Sequence, residues 1–252
     1  MIAAIRAELR KLLTVRSTYV ITILCLLIVI FMAFFIEGYS QVNDIANPGH
    51  LASQMVGAAT LLALLISLVG FLLMTHEYRY NTIMYSLTAA SSRTHVLLAK
   101  MIVVSIYSIL LTALVTGIAP LLTKLGMAVR GVDLAAQNLP FMDIWLHAIF
   151  YGWAFSMLAL LIAAIVRSQV GTLAILLLFP VLGESLLSLL LKENAKYLPF
   201  TALGQVLQSA IPGQLRGVML NLSGTQAILV VLAYIAGLGL LAWLLFRRRD
   251  AN

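Results

Sequence analysis

The chain has 252 residues, of which 62% are hydrophobic and only 10% are charged. Soluble domains carry roughly 25% charged residues, so this composition excludes an ordinary soluble domain and indicates a protein that lies in lipid. The net charge of +7 does not indicate nucleic acid as a partner, because the basic residues cluster beside apolar runs, as they do near membrane surfaces.

Residues 2–13 predict a helix that lies in the membrane interface. Ile2, Ile5, Leu9 and Leu12 share one helical face, and the basic residues lie elsewhere on the helix. This separation is typical of an amphipathic helix whose apolar side rests on lipid.

Six apolar runs follow, each close to the length that crosses a hydrocarbon core of about 30 Å. They are continuous rather than alternating, which indicates helices and excludes barrel strands. Pro120 is expected to close the third run, and Asn47-Pro48-Gly49 to form a turn in the outer loop between the first and second runs. The sequence therefore predicts a single all-α membrane domain over residues 1–252. The predicted spans are residues 19–36, 55–74, 96–118, 144–166, 171–191 and 226–246.

The basic residues also predict the orientation. Eleven of the sixteen Lys and Arg residues lie on the side that holds both termini. The positive-inside rule places that side in the cytoplasm, so both ends of the chain are expected inside.

The segment 192–224, before the last span, is apolar but contains breaks at Pro199 and at Pro212-Gly213. Its pieces are too short to span a bilayer. Two interpretations fit: short re-entrant helices whose backbone is enclosed by protein, or a folded cap on the outer surface.

The loop after the second span, from His76 to Arg93, is charged and rich in aromatic residues. Thr82 suits the N-cap of a short helix from Ile83 to Leu87. Such a helix is either a contact surface for a soluble partner or an ordinary capped turn held by lipid headgroups.

This loop resembles that of the ABC-2-type permease family, in which a Glu is followed by Gly-Thr and then by Leu, Arg and Lys. The matching residues here are Glu77, Thr82, Leu87, Arg93 and Lys100. Asn81 replaces the usual Gly, and both residues tolerate positive φ. The interfacial helix and the six spans extend the resemblance over the whole chain.

The resemblance implies that this loop is a coupling helix docked on a cytoplasmic ATPase subunit. The implied contact residues are Glu77, Tyr78, Arg79, Thr82, Ile83 and Leu87. It further implies a second permease copy or a sister permease as partner. ATP and Mg²⁺ would be bound by the ATPase, because this chain has no phosphate-binding loop of the Walker type. No cofactor, metal or catalytic residue is expected in the chain.

Glu184 is the one acidic residue predicted well inside a span. Buried carboxylates in membranes are costly and often line a transport path, and Pro180 nearby is expected to kink the helix. The alternative is that the span ends early and Glu184 lies in the outer interface near Lys192.

Taken together, these features predict a non-enzymatic permease subunit of an ATP-driven exporter in a bacterial cytoplasmic membrane. Its cargo would be hydrophobic or amphipathic, and its surroundings would be lipid. The alternatives are an ATP-independent secondary transporter and a membrane-embedded enzyme.

Overall fold

A computed structural model describes residues 1–40, 48–80, 82, 92–131, 140–211, 213 and 222–248. Within these residues the chain is helical and has no strand, and six helices are long and apolar enough to cross a membrane. The predicted all-α fold with six spans is therefore confirmed, and the chain is a multi-pass membrane protein.

The described residues form nine α-helices joined in places by π- and 3₁₀-helical turns. Helix α1 (Ile2–Thr14) corresponds to the predicted interfacial segment, and the fifth span combines α6 (Gln169–Leu178), a π-helical turn (Phe179–Gly183) and α7 (Glu184–Leu191). The bounds are α1 Ile2–Thr14, α2 Arg16–Val29 with a π-helical continuation Ile30–Ser40, α3 Pro48–Arg79, α4 Arg93–Val129, α5 Phe141–Val166, α6 Gln169–Leu178, the π-helical turn Phe179–Gly183, α7 Glu184–Leu191, a 3₁₀-helix Lys192–Tyr197, α8 Pro199–Ser209 and α9 Gly224–Arg248.

The structure differs from the prediction at two prolines, Pro120 and Pro48. The expectation that Pro120 closes the third span is wrong, because α4 continues through it to Val129. A proline removes only one backbone donor, and membrane helices tolerate that loss better than a free helix end in lipid. The turn predicted at Asn47-Pro48-Gly49 is also wrong at its last two positions, since α3 begins at Pro48. A first helical position needs no backbone N–H.

Helix α5 occupies the centre of the bundle. It packs against α3, α4, α8 and α9, and most of its side chains are buried. Small residues allow these close approaches. At Gly70 of α3, for example, an added Cβ would lie 3.1 Å from the carbonyl oxygen of Ser156. The fifth span, by contrast, exposes most of its apolar surface, as expected for a helix that faces lipid or another apolar protein.

The first span and α4 touch through their backbones. A Cβ added at Gly126 would lie 2.4 Å from the carbonyl oxygen of Phe34, and one added at Gly38 would lie 2.6 Å from that of Thr123. Any side chain at either glycine would therefore separate the two helices.

One end of the bundle gathers α1, the end of α3, the start of α4 and the connection between α5 and α6. The Trp243 indole of α9 also reaches this end and donates a hydrogen bond to Thr94 Oγ1 over 3.2 Å. The sequence also predicts that these segments lie on the same side of the membrane as each other.

The segment before the last span contains α8, an enclosed short helix that buries Ala202, Leu203, Val206 and Leu207. A second short apolar piece was expected after Pro212, and it falls largely on residues outside those described. Gln205 of α8 accepts a hydrogen bond from the backbone N–H of Leu222, over 2.8 Å, and so ties α8 to the start of α9.

Candidate functional site

Among the described residues, a largely buried ring of charges is made by Glu8 and Lys11 of α1, Glu77 of α3 and Lys100 of α4. Helical spacing brings Glu8 and Lys11 to one face of α1, which lies against the bundle. Glu77 is placed by the last turn of α3, and Lys100 by the second turn of α4. Two consecutive helices, α3 and α4, therefore meet the distant helix α1 at one cluster.

The ring is closed by alternating ion pairs. Lys11 Nζ lies 2.8 Å from Glu8 Oε1 and 2.5 Å from Glu77 Oε1. Lys100 Nζ lies 2.9 Å from Glu8 Oε2 and 2.8 Å from Glu77 Oε1. Each lysine thus bridges the two carboxylates, and each carboxylate bridges the two lysines.

Lys100 is the member withdrawn from solvent. Its side chain has no exposed surface, and its third ammonium hydrogen is directed to the carbonyl oxygen of Leu73, 3.0 Å away. All three donors of the ammonium group are therefore used. A charge buried this completely is tolerated only when it is paired and hydrogen-bonded, and both conditions hold here.

Lys11 lies at the edge of the ring, with 37% of its side chain exposed. Burial opposes its charge, but the hydrogen bonds and charges of Glu77 and Glu8 outweigh that effect and raise the pKa of Lys11 above its ordinary value. A raised lysine pKa stabilises the fold below the ordinary value of about 10.4, and the contribution is lost as the pH rises through the folded value. Lys11 is therefore a fixed cation at neutral pH.

Two contacts tie the end of α3 to the turn between α5 and α6. The guanidinium of Arg167 lies 5.2 Å from the centre of the Tyr78 ring, a cation–π distance. Arg79 donates a hydrogen bond to Gln169 Oε1 over 2.9 Å. Arg167 adopts φ of 56° as it ends α5, which permits the abrupt turn into α6.

A groove of about 670 Å³ opens beside the ring, between the α1–α2 junction and the end of α3. Its walls combine apolar side chains such as Leu72 with polar and basic ones that include Arg16, His76, Tyr80 and Thr82.

The structure separates the residues predicted to contact an ATPase. Glu77 is buried in the ring and Tyr78 lies half-buried under Arg167, whereas Arg79 and Thr82 are exposed. The Thr82 backbone N–H donates to the carbonyl oxygen of Glu77 over 2.9 Å. Ile83 and Leu87, with the short helix predicted between them, lie outside the described residues. The docking role of all six stays a prediction.

Glu184 lies at the start of α7, in the fifth span, where it accepts hydrogen bonds from another helix. Its carboxylate accepts hydrogen bonds from the backbone N–H groups of Phe200 and Thr201, both over 2.7 Å, and from the Thr201 hydroxyl over 2.6 Å. Phe200 and Thr201 are in the first turn of α8, where backbone donors lack partners within the helix. Glu184 thus caps α8 from the fifth span, and its predicted place on a transport path stays a prediction.

Sequence reasoning named Glu77 and Lys100 but missed Glu8. The available signal was its position in α1, because Glu8 follows Ile5 by three residues and precedes Leu12 by four, on the face that is buried. Ile2 and Leu9, assigned to the apolar face, are exposed in the chain. An acidic residue on the packed side of a basic helix is the pattern that indicates a buried ion pair.

The interactions that make up the site are ion pairs and hydrogen bonds between charged groups. The ring holds its carboxylates and ammonium groups in mutual pairs. Within the described part of the chain, no three His, Cys, Asp or Glu side chains come close enough together to hold a metal ion. The ion pairs join α1, α3 and α4 to one another.

Comparison with known proteins gives a family match. None of the curated proteins matches the chain. Residues 42–251 match the family described as "Protein of unknown function (DUF2705)". The match includes Glu77 and Lys100 of the ring, while Glu8 and Lys11 precede it. Because most of the chain is covered, this multi-pass membrane protein belongs to the DUF2705 family.

Proposed function

We propose that the chain is the membrane-spanning permease subunit of an ATP-powered exporter, with a separate cytoplasmic ATPase docked at the end of α3. The observation that carries the proposal is the ring of Glu8, Lys11, Glu77 and Lys100. It joins helices α1, α3 and α4 at the loop whose residues resemble the coupling loop of ABC-2-type permeases.

The ring supports a mechanism in which these helices move together. Removing one partner from a buried ion pair leaves an unpaired charge at a cost of about 3–5 kcal/mol, so the three helices are expected to shift together rather than separate at the ring. A push on Arg79 and Thr82 would pass to the end of α3, and from there through Glu77 to Lys100 of α4 and Lys11 of α1. The ATPase and the spans would thereby share a two-state element.

In this proposal the end of the bundle that holds the ring faces the cytoplasm of a bacterial cell. ATP and Mg²⁺ are bound and used by the ATPase, and the chain itself is not an enzyme. The exposed apolar surface of the fifth span is available to lipid and to a second permease copy or sister permease. The cargo is a hydrophobic or amphipathic compound.

Charge reversal at Arg79 tests the docking surface without touching the ring, because Arg79 is exposed. We expect an ATP-hydrolysing protein to co-purify with the tagged wild-type chain from the cells that make it. Its recovery should fall at least fivefold in Arg79→Glu, measured by quantitative mass spectrometry and by ATPase activity of the purified complex.

The matched control is Glu193→Lys, a charge reversal at an exposed residue between the fifth and sixth spans. It should leave ATPase recovery unchanged. Equal recovery in Arg79→Glu and in the wild type would contradict docking at this loop. Vectorial transport by vesicles that contain the chain without any ATPase would instead favour the secondary transporter.

A further inference from the structure

A cavity of about 310 Å³ lies at the opposite end of the bundle from the ring, between α3, α4 and α5. Its walls are largely apolar and include Ala59, Leu62, Trp145 and Leu207. The volume equals that of about ten water molecules at their share of liquid water. A ligand of roughly ten non-hydrogen atoms would fill it.

Glu37, from the π-helical continuation of α2, contributes the carboxylate of this cavity. Only 4% of the residue is exposed. Its Oε2 accepts a hydrogen bond from the Thr123 hydroxyl over 3.1 Å. Within the described ranges, no lysine, arginine or histidine forms a salt bridge with Glu37, whereas Glu8 and Glu77 each form salt bridges with two lysines.

We propose that this cavity is a binding site for an amphipathic monocation, a primary alkylammonium, whose ammonium group pairs with Glu37. A buried carboxylate stays charged only when it is paired, and an ammonium group that donates hydrogen bonds to Glu37 would complete that pair. The apolar walls remove the alkyl chain from water, and ligand sites commonly combine such walls with a few placed polar groups.

The proposal does not depend on an ATPase partner or on transport. Binding at Glu37 is a property of the isolated chain, and it can fail or succeed independently of docking at Arg79. The same ammonium chemistry is present on a free amine and on the headgroup of phosphatidylethanolamine, and the experiment separates these sources.

The test measures binding of radiolabelled octylammonium to the full chain in nanodiscs of phosphatidylcholine, with binding to empty nanodiscs subtracted. Octanol has the same chain length without the charge. We expect the wild type to bind octylammonium at least tenfold more tightly than octanol. The preference should vanish in Glu37→Gln, whose amide oxygen still accepts from Thr123. Glu193→Gln, at an exposed carboxylate outside the cavity, should bind as the wild type does.

A second variant keeps the test valid if Glu37→Gln folds poorly. Ala58→Leu adds volume at a residue that lines the cavity and keeps Glu37, so it should weaken binding of both ligands at least fivefold. Equal binding of the two ligands by the wild type, a charge preference retained in Glu37→Gln, or unchanged binding in Ala58→Leu would each overturn the proposal. Competition by phosphatidylethanolamine added to the nanodiscs would assign the ammonium to a lipid headgroup, and its absence would assign it to a free amine.

Discussion

Lys100 shows what a lysine requires in order to be buried near a membrane. Its ammonium group has three hydrogens, and Glu8, Glu77 and the Leu73 carbonyl oxygen each accept one of them. Loss of any acceptor would leave a donor without water as a substitute, because the side chain has no exposed surface. The residue is therefore stable only as part of the complete ring.

Replacing Lys100 by methionine should destabilise the chain strongly. The substitution keeps the apolar stem but leaves two carboxylates with Lys11 as their remaining partner in the ring. We expect a loss of about 3–5 kcal/mol, seen as a large fall in the thermal unfolding midpoint of the purified chain in detergent. Lys11→Met should cost less, because more than a third of the Lys11 side chain is exposed.

The double variant Lys100→Met/Glu8→Gln provides the control for this prediction. Removing the opposed charges together should cost less than the sum of the two single changes, since contacting residues are not additive. Additive losses would contradict a direct ion pair between Glu8 and Lys100.

The sequence could indicate only part of this ring. Glu77 and Lys100 stand in a loop pattern that resembles a known family, so they were named. Glu8 lies 92 residues before Lys100, so the local pattern in α1 can indicate that Glu8 is buried and paired but cannot identify Lys100 as its partner. The predicted first span ends at residue 36, just before Glu37, whereas the continuing helix and Thr123 bury Glu37.

At the scale of the secondary-structure elements, α8 begins inside the protein and needs acceptors for its first backbone donors. Pro199 supplies a first position without an N–H, and Glu184 accepts from the next two. Ser, Thr, Asp or Asn usually caps a helix from the adjacent residue. Here the cap comes from a different element, so the fifth span and α8 are fixed to each other.

Glu184→Ala should loosen α8 more than Glu184→Gln does. Alanine leaves two backbone N–H groups and the Thr201 hydroxyl without their acceptor, at a cost of about 1–3 kcal/mol per buried group. Glutamine retains one acceptor oxygen. The predicted order of thermal stability is wild type, Glu184→Gln, Glu184→Ala, and amide exchange at Phe200 and Thr201 should accelerate in the same order.

The same pair of variants separates capping from the predicted place on a transport path. If Glu184 acts as a cap alone, Glu184→Gln should retain export in proportion to its stability. Loss of export in a Glu184→Gln variant as stable as the wild type would instead favour a charge that contacts cargo. Glu193→Ala, at an exposed carboxylate in the following 3₁₀-helix, should change neither property.

Helix positions were easier to predict than helix ends. Continuous apolar runs identify the spans because lipid requires every backbone group to bond within the helix. The ends depend on tertiary contacts, which explains why α4 passes Pro120 and α3 begins at Pro48. The kink expected near Pro180 takes the form of a π-helical turn from Phe179 to Gly183, a distortion that hydropathy does not encode.

At the scale of the whole molecule, the distribution of basic residues should determine which end of the bundle lies in the cytoplasm. Thr82 is exposed at the end that holds the ring, and Glu193 is exposed between the fifth and sixth spans. An odd number of spans separates these positions, so they lie on opposite sides of the membrane.

Single cysteines at these two positions test the orientation directly. In sealed right-side-out vesicles, a membrane-impermeant maleimide should label Glu193→Cys and should label Thr82→Cys only after the vesicles are opened. The native thiol of Cys25 is buried, so the wild type should give little background. External labelling of Thr82→Cys would contradict a cytoplasmic docking loop.

The backbone contact between Gly38 and Gly126 sets how the first span and α4 can move. No side chain separates the two helices there, so a change in the angle between them would turn about this contact as its pivot. Lys100 lies 26 residues from Gly126 along α4, which is about 39 Å at 1.5 Å per residue. A tilt of about 5° at the pivot would carry the far end roughly 3 Å by that geometry, comparable to the length of one hydrogen bond in the ring. Helix α1 must therefore move with α4 during such a tilt, or the ion pair between Glu8 and Lys100 must break.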